Sequence, residues 1–485
     1  MSTLETAFTA MSRDDLFGYI PRDTSTKPAH IANGLFRYLA GRHYDPVALN
    51  ATLVHMKKQR EVTTNQQLVD RYPDVFQPYR DPLTWPALTD IRHDLKLLLA
   101  PHGGAVNQGN RQSTYNITAD FHLTADSHDQ GIGRFLFELL SLDFGDGESV
   151  ACQVIRDALR RHDDDISVIT TPLATDDFEV VNAGTYPASS VFRQRAGRLV
   201  SPTLRAIRGG FDALAGFEHR AAGGLDSLRR LVAFGVLGVL LHLHSRGRDG
   251  GRRGGPAPVM LHFLENESST AHLASNATYN VNRRAIETLY AGEFVKWLEL
   301  RLGDNPRKPK CERFVEELEF EQDAARCRAR ILQSFRAFES TTRPIEALGE
   351  ALRSILFDDL LSASPCDFYR TLGARLGLVQ PRGNRAVHKF YTLDGVLLEA
   401  VLASVLARGE LTYPRLLDAI YEAYGFIVGG RRDDPGLLER NGVSVGTVHD
   451  LRRNSVAFKQ RLISLGWAQQ YADGVMVARM PEGLL

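Results

Sequence analysis

Lysine is scarce in this chain. Of 58 basic residues only nine are lysine and 49 are arginine, and 58 acids balance them to a formal charge of zero. A neutral chain does not coat nucleic acid by charge alone, so any grip on a polyanion has to come from a local patch. The arginine bias reads first as the codon usage of a GC-rich genome, and second as a preference for bidentate contact with phosphate. Cysteine is scarce too: Cys152, Cys311, Cys327 and Cys366 lie far apart and form no C-x-x-C pair. That spacing opposes a structural zinc site and a disulfide framework, and it fits a reducing, cytoplasmic compartment. Long apolar runs are missing as well. The most apolar window, 231–243, ends at His242 and His244 and covers about thirteen residues, whereas a bilayer span needs about twenty. It reads as a buried core helix, and no membrane partner is expected. The first twenty residues carry Glu5, Arg13, Asp14 and Asp15 among their apolar positions, unlike a secretory signal.

Familiar catalytic motifs are also absent. There is no G-x-x-x-x-G-K-[ST], no G-x-S-x-G elbow and no G-x-G-x-x-G between a strand and a helix. Their absence weighs against an NTPase, an α/β-hydrolase or a dinucleotide enzyme. Glu293-Phe-Val-Lys296 is the nearest nuclease-like fragment, but no acid on a preceding strand accompanies it. His388-Lys389 with Asp394 has the wrong spacing for a phospholipase-type motif. The three acids at 163–165 read as a solvated turn, since consecutive loop residues point apart. One metal set remains as an alternative: His242, His244, His262 and Glu265, serving a metal-dependent hydrolase or nuclease. Helical periodicity around the first two opposes it, because residues two apart on a helix diverge. No catalytic residue, metal or cofactor is assigned.

The periodicity is mostly helical, with more than twice as much helix as strand expected: a mainly α, multi-domain protein with a minor α+β element. Three segments are expected. The first, 1–110, is helical, with Leu35, Tyr38 and Leu39 on one face and Ile91, Leu95, Leu98 and Leu99 on another. Prolines at 73, 78, 82 and 86 punctuate the stretch between them, and 103–112 reads as a polar, glycine-rich loop. The second segment, 111–379, contains a helix on Phe135, Leu136, Leu139 and Leu140 and another over 148–161. It also holds the main charge anomaly. Residues 193–253 carry twelve arginines and four acids, with glycine pairs at 209–210 and 223–224 and an Arg/Gly-rich loop over 246–255. Guanidinium forks on such a loop suit phosphate or an acidic protein, so Arg246, Arg248, Arg252 and Arg253 are candidate contacts. A strand over 259–264, a helix capped at Ser268–Thr270 and reaching Leu302, and a helix or helical hairpin over 312–339 follow.

The third segment, 380–485, is the most specific. Helices are expected over 395–407, from Thr412-Tyr-Pro-Arg415 to Gly425, and over 447–465, with Pro414 in a first turn and Gly466 closing the last helix. Short apolar runs at 467–471 and 475–479 flank Ala472-Asp-Gly474, a hairpin signal. Three helices and a hairpin are the layout of a winged-helix domain. Its third helix would present Arg452, Arg453, Lys459 and Arg461 to DNA or to a partner. Thirteen basic and eleven acidic residues from 380 onward give only +2, a weak footprint for DNA.

The stretches Tyr391-Thr-Leu-Asp394, Leu416-Leu-Asp-Ala-Ile-Tyr-Glu-Ala-Tyr-Gly-Phe-Ile-Val-Gly429 and Leu462-Ile-Ser-Leu-Gly-Trp-Ala468, with Ala472-Asp-Gly474, resemble the ends of accessory, non-motor subunits of bacterial multi-gene phage-defence systems. The likeness extends to the strand, serine and helix around 259–288. It resembles in style the subunits that accompany ATPases in phosphorothioate-dependent or methylation-associated restriction. What it implies is a non-catalytic subunit that docks proteins of the same operon, such as an ATPase or translocase, with DNA as a further partner. Its motifs are structural, so no functional residue carries over. A transcription regulator is the remaining alternative, though about 380 residues precede the C-terminal segment.

Overall fold

The structure, a computed structural model, describes residues 3–22, 24–40, 43–44, 64–98, 129–159, 174–175, 191–195, 198–220, 225–249, 257–265, 269–320, 323–339, 342–383, 388–445 and 448–481. It is mainly helical, with 69% helix against 6% strand. The loop expected over 103–112, the acids at 163–165, and Arg252 and Arg253 lie outside the described residues. The chain divides into two compact units. One comprises Met1–Ser25, Ser189–Ala213 and Phe234–Leu485; the other comprises Thr26–Ala188 and Leu214–Ala233.

In the second unit the helix Pro28–Ala40 packs on Ile132–Ser141 and Val150–Leu159. Their buried faces carry Ile31, Leu35 and Phe36 on one side and Phe135, Leu136, Leu139 and Leu140 on the other, the spacing of an amphipathic helix. Two glycines let the backbones touch. A Cβ on Gly133 would sit 2.4 Å from the Gly34 Cα, so any larger residue there forces the helices apart. Asp129 fixes the start of the second helix by accepting from the Gly131 and Gly133 amides at 2.9 and 3.3 Å. The expected helix over 148–161 begins later, at Val150, because Ser149 sits at its entry and accepts from the Ala151 amide. Glu148 instead grips Arg156 through both oxygens.

In the first unit one long helix, Thr270–Leu302, forms the spine. Ser269 caps it by accepting from the His272 amide, and the buried stripe Ala271, Ala274, Thr278, Ile286, Phe294 and Leu298 recurs at helical spacing. The helices Ala324–Glu339 and Pro344–Ile355 pack beside it. The expected 312–339 helix is a hairpin of Lys308–Glu317 and Ala324–Glu339. Its inner face is Cys311, Val315, Cys327, Ile331 and Phe335, so two thiols serve as small apolar core residues.

The strand Val259–Met260 is shorter than expected and pairs in parallel with Phe426–Ile427, while Leu261 bridges to Tyr391. Ser275 ties these strands to the spine, donating to the Met260 carbonyl at 2.6 Å and accepting from the Tyr391 amide at 2.8 Å. The shared core of Met260, Ala271, Ala274, Ile427, Leu438 and Leu451 joins residues on both sides of position 380. A segment beginning near 380 is therefore continuous in packing with the spine.

From Gly395 the elements run helix Gly395–Leu406, strand Leu411–Thr412, helix Tyr413–Tyr424, strand Phe426–Ile427, helix Asp434–Arg440, helix Val448–Ser464, and the strands Ala468–Gln470 and Met476–Ala478. The last two form an antiparallel hairpin, and Met476–Ala478 also pairs with Leu411–Thr412. Gly425, at φ 74°, is in the left-handed region that a helix end requires. Asp434–Arg440 was not anticipated within its Gly/Arg/Asp-rich surroundings.

Candidate functional site

The helix Val448–Ser464 is anchored on its inner face by Asn454. Asn454 is fully buried; its amide donates to the Leu261 and Val428 carbonyls, both at 2.8 Å, and its carbonyl accepts from the Phe263 amide at 2.7 Å. With Leu451, Phe458 and Leu462 it makes the inner face. The outer face follows from the same 3.6-residue period: Val448, Arg452, Val456, Lys459 and Ile463 align along it. Val448, Val456 and Ile463 are exposed, and Leu465, Tyr471 and Val475 continue the apolar surface onto the following turn and hairpin. These six account for over half of the exposed large hydrophobic residues among those described. Such a concentration marks an interaction surface more than a random scatter of exposed apolar groups does.

The basic residues expected on this helix divide into two sets. Arg461 pairs with Asp394 at 2.9 Å and lies 6.0 Å from the Phe263 ring centroid. Arg453 lies 3.7 Å from Asp450, whose own carboxylate accepts from the Thr270 amide. Arg452 and Lys459 have no hydrogen bond or ion pair among the described residues, and Arg452 is exposed. Two cations thus remain within the apolar stripe.

The expected 246–255 loop is corrected at its start. The helix Leu225–Asp249 continues through Arg246, Gly247 and Arg248. Gly247 is tolerated because the spine approaches there: a Cβ would meet the Ile286 nitrogen at 3.1 Å. Arg246 donates to the Asp15 carbonyl at 3.0 Å, and Arg248 hydrogen-bonds the Asn441 side-chain carbonyl. Two further arginines of this stretch are internal, while Arg193, Arg198, Arg205 and Arg229 are exposed. Arg230 forks onto the fully buried Glu218, with one bond at 2.9 Å, and Arg208 is buried. Gly209 and Gly210 are helical, and a Cβ on Gly210 would collide with the Phe234 ring.

The four residues of the metal alternative are not brought together. His242 and His244 are buried on the Leu225–Asp249 helix, and His244 packs edge-on to Tyr369 at 4.6 Å. Burial, reinforced by Arg246 and Arg248 respectively, pushes both imidazoles down to about 3. His262 packs edge-on against His272 and Phe390, while Glu265 is exposed. Among the described residues no group of three or more His, Cys, Asp or Glu could hold a metal ion. Glu293 and Lys296 form an ion pair at 2.7 Å on the spine, and the Lys389 ammonium donates to the Pro381 and Gly383 carbonyls. All four cysteines are free and buried; burial raises the Cys311 thiol to about 11 and the Cys366 thiol to about 12, far from an activated thiolate.

The stretch Leu228–Arg248 is long and apolar enough to cross a bilayer by length and composition, and 78% of its most apolar window is buried inside the molecule. No family model matches the chain, and no curated protein matches it.

Proposed function

We propose that the protein is a non-catalytic docking subunit of a bacterial phage-defence or DNA-processing complex, and that residues from Gly395 form a winged-helix module whose outer helix and hairpin engage a partner protein. The helix, strand, helix, strand, helix, helix, hairpin order and the three-stranded antiparallel sheet support the winged-helix reading. The observation that carries docking is the exposed face of Val448, Val456 and Ile463, continued by Leu465, Tyr471 and Val475. An apolar stripe interrupted by Arg452 and Lys459 suits a partner groove that is apolar at its centre and acidic at its rim. The resemblance to accessory defence subunits gives the partner its class: a protein of the same operon, such as an ATPase or translocase.

DNA is the second reading, and Arg452 and Lys459 favour it. Two free cations neutralise about two phosphates, so the logarithm of affinity should fall with the logarithm of salt at a slope near −2. The test uses the full chain co-expressed with the products of the neighbouring genes. Val456→Glu with Ile463→Glu should dissociate a stable complex on gel filtration, while Arg452→Ala should mainly slow its assembly and flatten its salt dependence. A complex unaffected by the double substitution would refute the docking face. Duplex binding with a slope near −2, retained in the double variant and weakened by Arg452→Ala, would favour DNA instead.

A further inference from the structure

We propose that a basic cavity beside the helix Pro365–Leu376 binds the phosphate chain of a small polyphosphate ligand. The cavity has a volume of about 670 Å³ and is lined by Thr24, Ser362, Asp367, Arg370, Thr371, Arg375 and Arg382 with two alanines. That volume falls in the range of small-molecule sites. Five of the lining positions, 367, 370, 371, 374 and 375, share one helix face at i, i+3, i+4, i+7 and i+8. The opposite face, with Phe368, Tyr369 and Leu372, is in the core, so the arginines project from a fixed support.

Charge in the cavity is unbalanced. Among the described lining residues three guanidinium groups face one carboxylate, and that carboxylate is already engaged. Asp367 accepts from the Ser364 amide and hydroxyl at 3.2 and 2.8 Å, and it pairs with Arg370 at 2.9 Å. Arg370 nevertheless keeps a buried Nε without a hydrogen-bond partner. Arg375 donates through one Nη to the Thr24 carbonyl at 2.6 Å. Arg382 makes no hydrogen bond or ion pair with a described residue. Its loop is anchored by Lys389, a buried lysine whose ammonium donates to the carbonyls on either side of Arg382. Lys389 is therefore a positioning residue for the third cation.

Three convergent guanidiniums repel one another until an anion sits between them, and their planar forks match phosphate oxygens. Hydroxyls from Ser362, Thr371 and Thr24 add donors for the same oxygens. Among the described residues the lining has no aromatic or large apolar side chain. It offers no platform for a nucleobase, so the phosphate chain is the recognised part and the rest of the ligand projects to solvent.

The test is calorimetric titration of the full chain with sodium tripolyphosphate and, separately, with ATP, both without metal. Saturable one-site binding is expected. Arg382→Ala and Arg370→Gln should each weaken it about tenfold or more, the scale of one charge-assisted hydrogen bond. Arg382→Ala removes no contact, so its fold serves as the reference should Arg370→Gln unfold. Lys389→Met should weaken binding and be insensitive to the further change Arg382→Ala. Arg313→Ala, at an exposed arginine on another helix, should bind as the parent does. Equal affinities for the two probes identify the phosphate chain as the recognised part, and a tighter ATP would overturn the reading that the rest of the ligand projects to solvent. No saturable binding of either probe, affinity unchanged in Arg382→Ala, or equal loss in Arg313→Ala would overturn the proposal.

Discussion

Acidification should destabilise this protein through two histidines, and His244 allows the effect to be isolated. Its ring is wholly buried between Tyr369 and Tyr391, at centroid distances of 4.6 and 6.0 Å, and neither ring nitrogen has a hydrogen-bond partner. The surrounding groups, including the Tyr369–Tyr391 hydroxyl pair, Tyr279 and Arg248, offer no negative charge to an imidazolium. Burial, then Arg248, lowers its pKa to about 3 from an ordinary 6.5. A folded-state pKa below the unfolded one means the neutral ring's contribution is complete above about pH 6.5 and is lost as pH falls towards 3. At pH 5 the folded ring is still neutral while the unfolded one is protonated by roughly thirty to one. That difference is about 2 kcal/mol, and it depends mainly on the unfolded pKa, not on how far below 5 the folded value lies. His242 contributes a similar amount in parallel.

The substitution His244→Phe removes the titration and keeps an aromatic ring among aromatic neighbours. Carboxylates that titrate over the same range are common to both proteins, so the difference between them reports the histidine alone. Thermal unfolding followed by circular dichroism at pH 7.5 and 5.0 should show the variant losing about 3–5 °C less than the parent on acidification, for a unit of roughly 300 residues. An equal loss in both proteins would refute the reasoning. It would mean that the imidazole is already charged, or already hydrated, in the folded state.

Two further substitutions test the framework. Asn454→Ala leaves the Leu261 and Val428 carbonyls and the Phe263 amide without their partner; it should cost about 3–5 kcal/mol in urea unfolding, and a cost under about 1 kcal/mol would show that water replaces the side chain. Arg230→Met strands the buried Glu218 carboxylate; it should destabilise by about 3–5 kcal/mol at pH 7, and Glu218→Gln added to it should recover part of that loss.

Where the chain turns was legible, because the signals are local. Ser269 before the spine, Gly425, Gly466 and Asp473-Gly474 each act through bonds to residues within a few positions, and each ends or starts an element as expected. Pairing across the chain was not legible. Val259 and Phe426 have no mutual signature in sequence, yet their parallel register welds the segment after 380 to the spine. The helix Asp434–Arg440 was hidden for a related reason. Its surroundings read as a polar loop, but Asp434 is buried and accepts from the Gly429 and Arg431 amides, so a turn looks disordered by composition while being ordered by one carboxylate.

Charge shows most clearly why a site is harder to read than a fold. The stretch 193–253 holds an excess of eight positive charges, and composition alone makes it the first candidate for anion contact. In the structure four of its described arginines turn inward, Arg230 to Glu218, Arg246 to the Asp15 carbonyl, Arg248 to Asn441 and Arg208 into the core, while Arg193, Arg198, Arg205 and Arg229 are exposed. The stretch 362–382 has three arginines and one acid and is unremarked by any charge count. There the single acid is held by Ser364 and Arg370, and the helix period turns Arg370 and Arg375 to the same side as Arg382. A sequence reports how much charge a segment carries. Attraction for a ligand depends on how much of that charge lacks an internal partner and converges on one space, and both quantities are set by residues distant along the chain. The same distinction separates Arg452 and Lys459, without ion-pair partners on an apolar face, from Arg461, which is tied to Asp394.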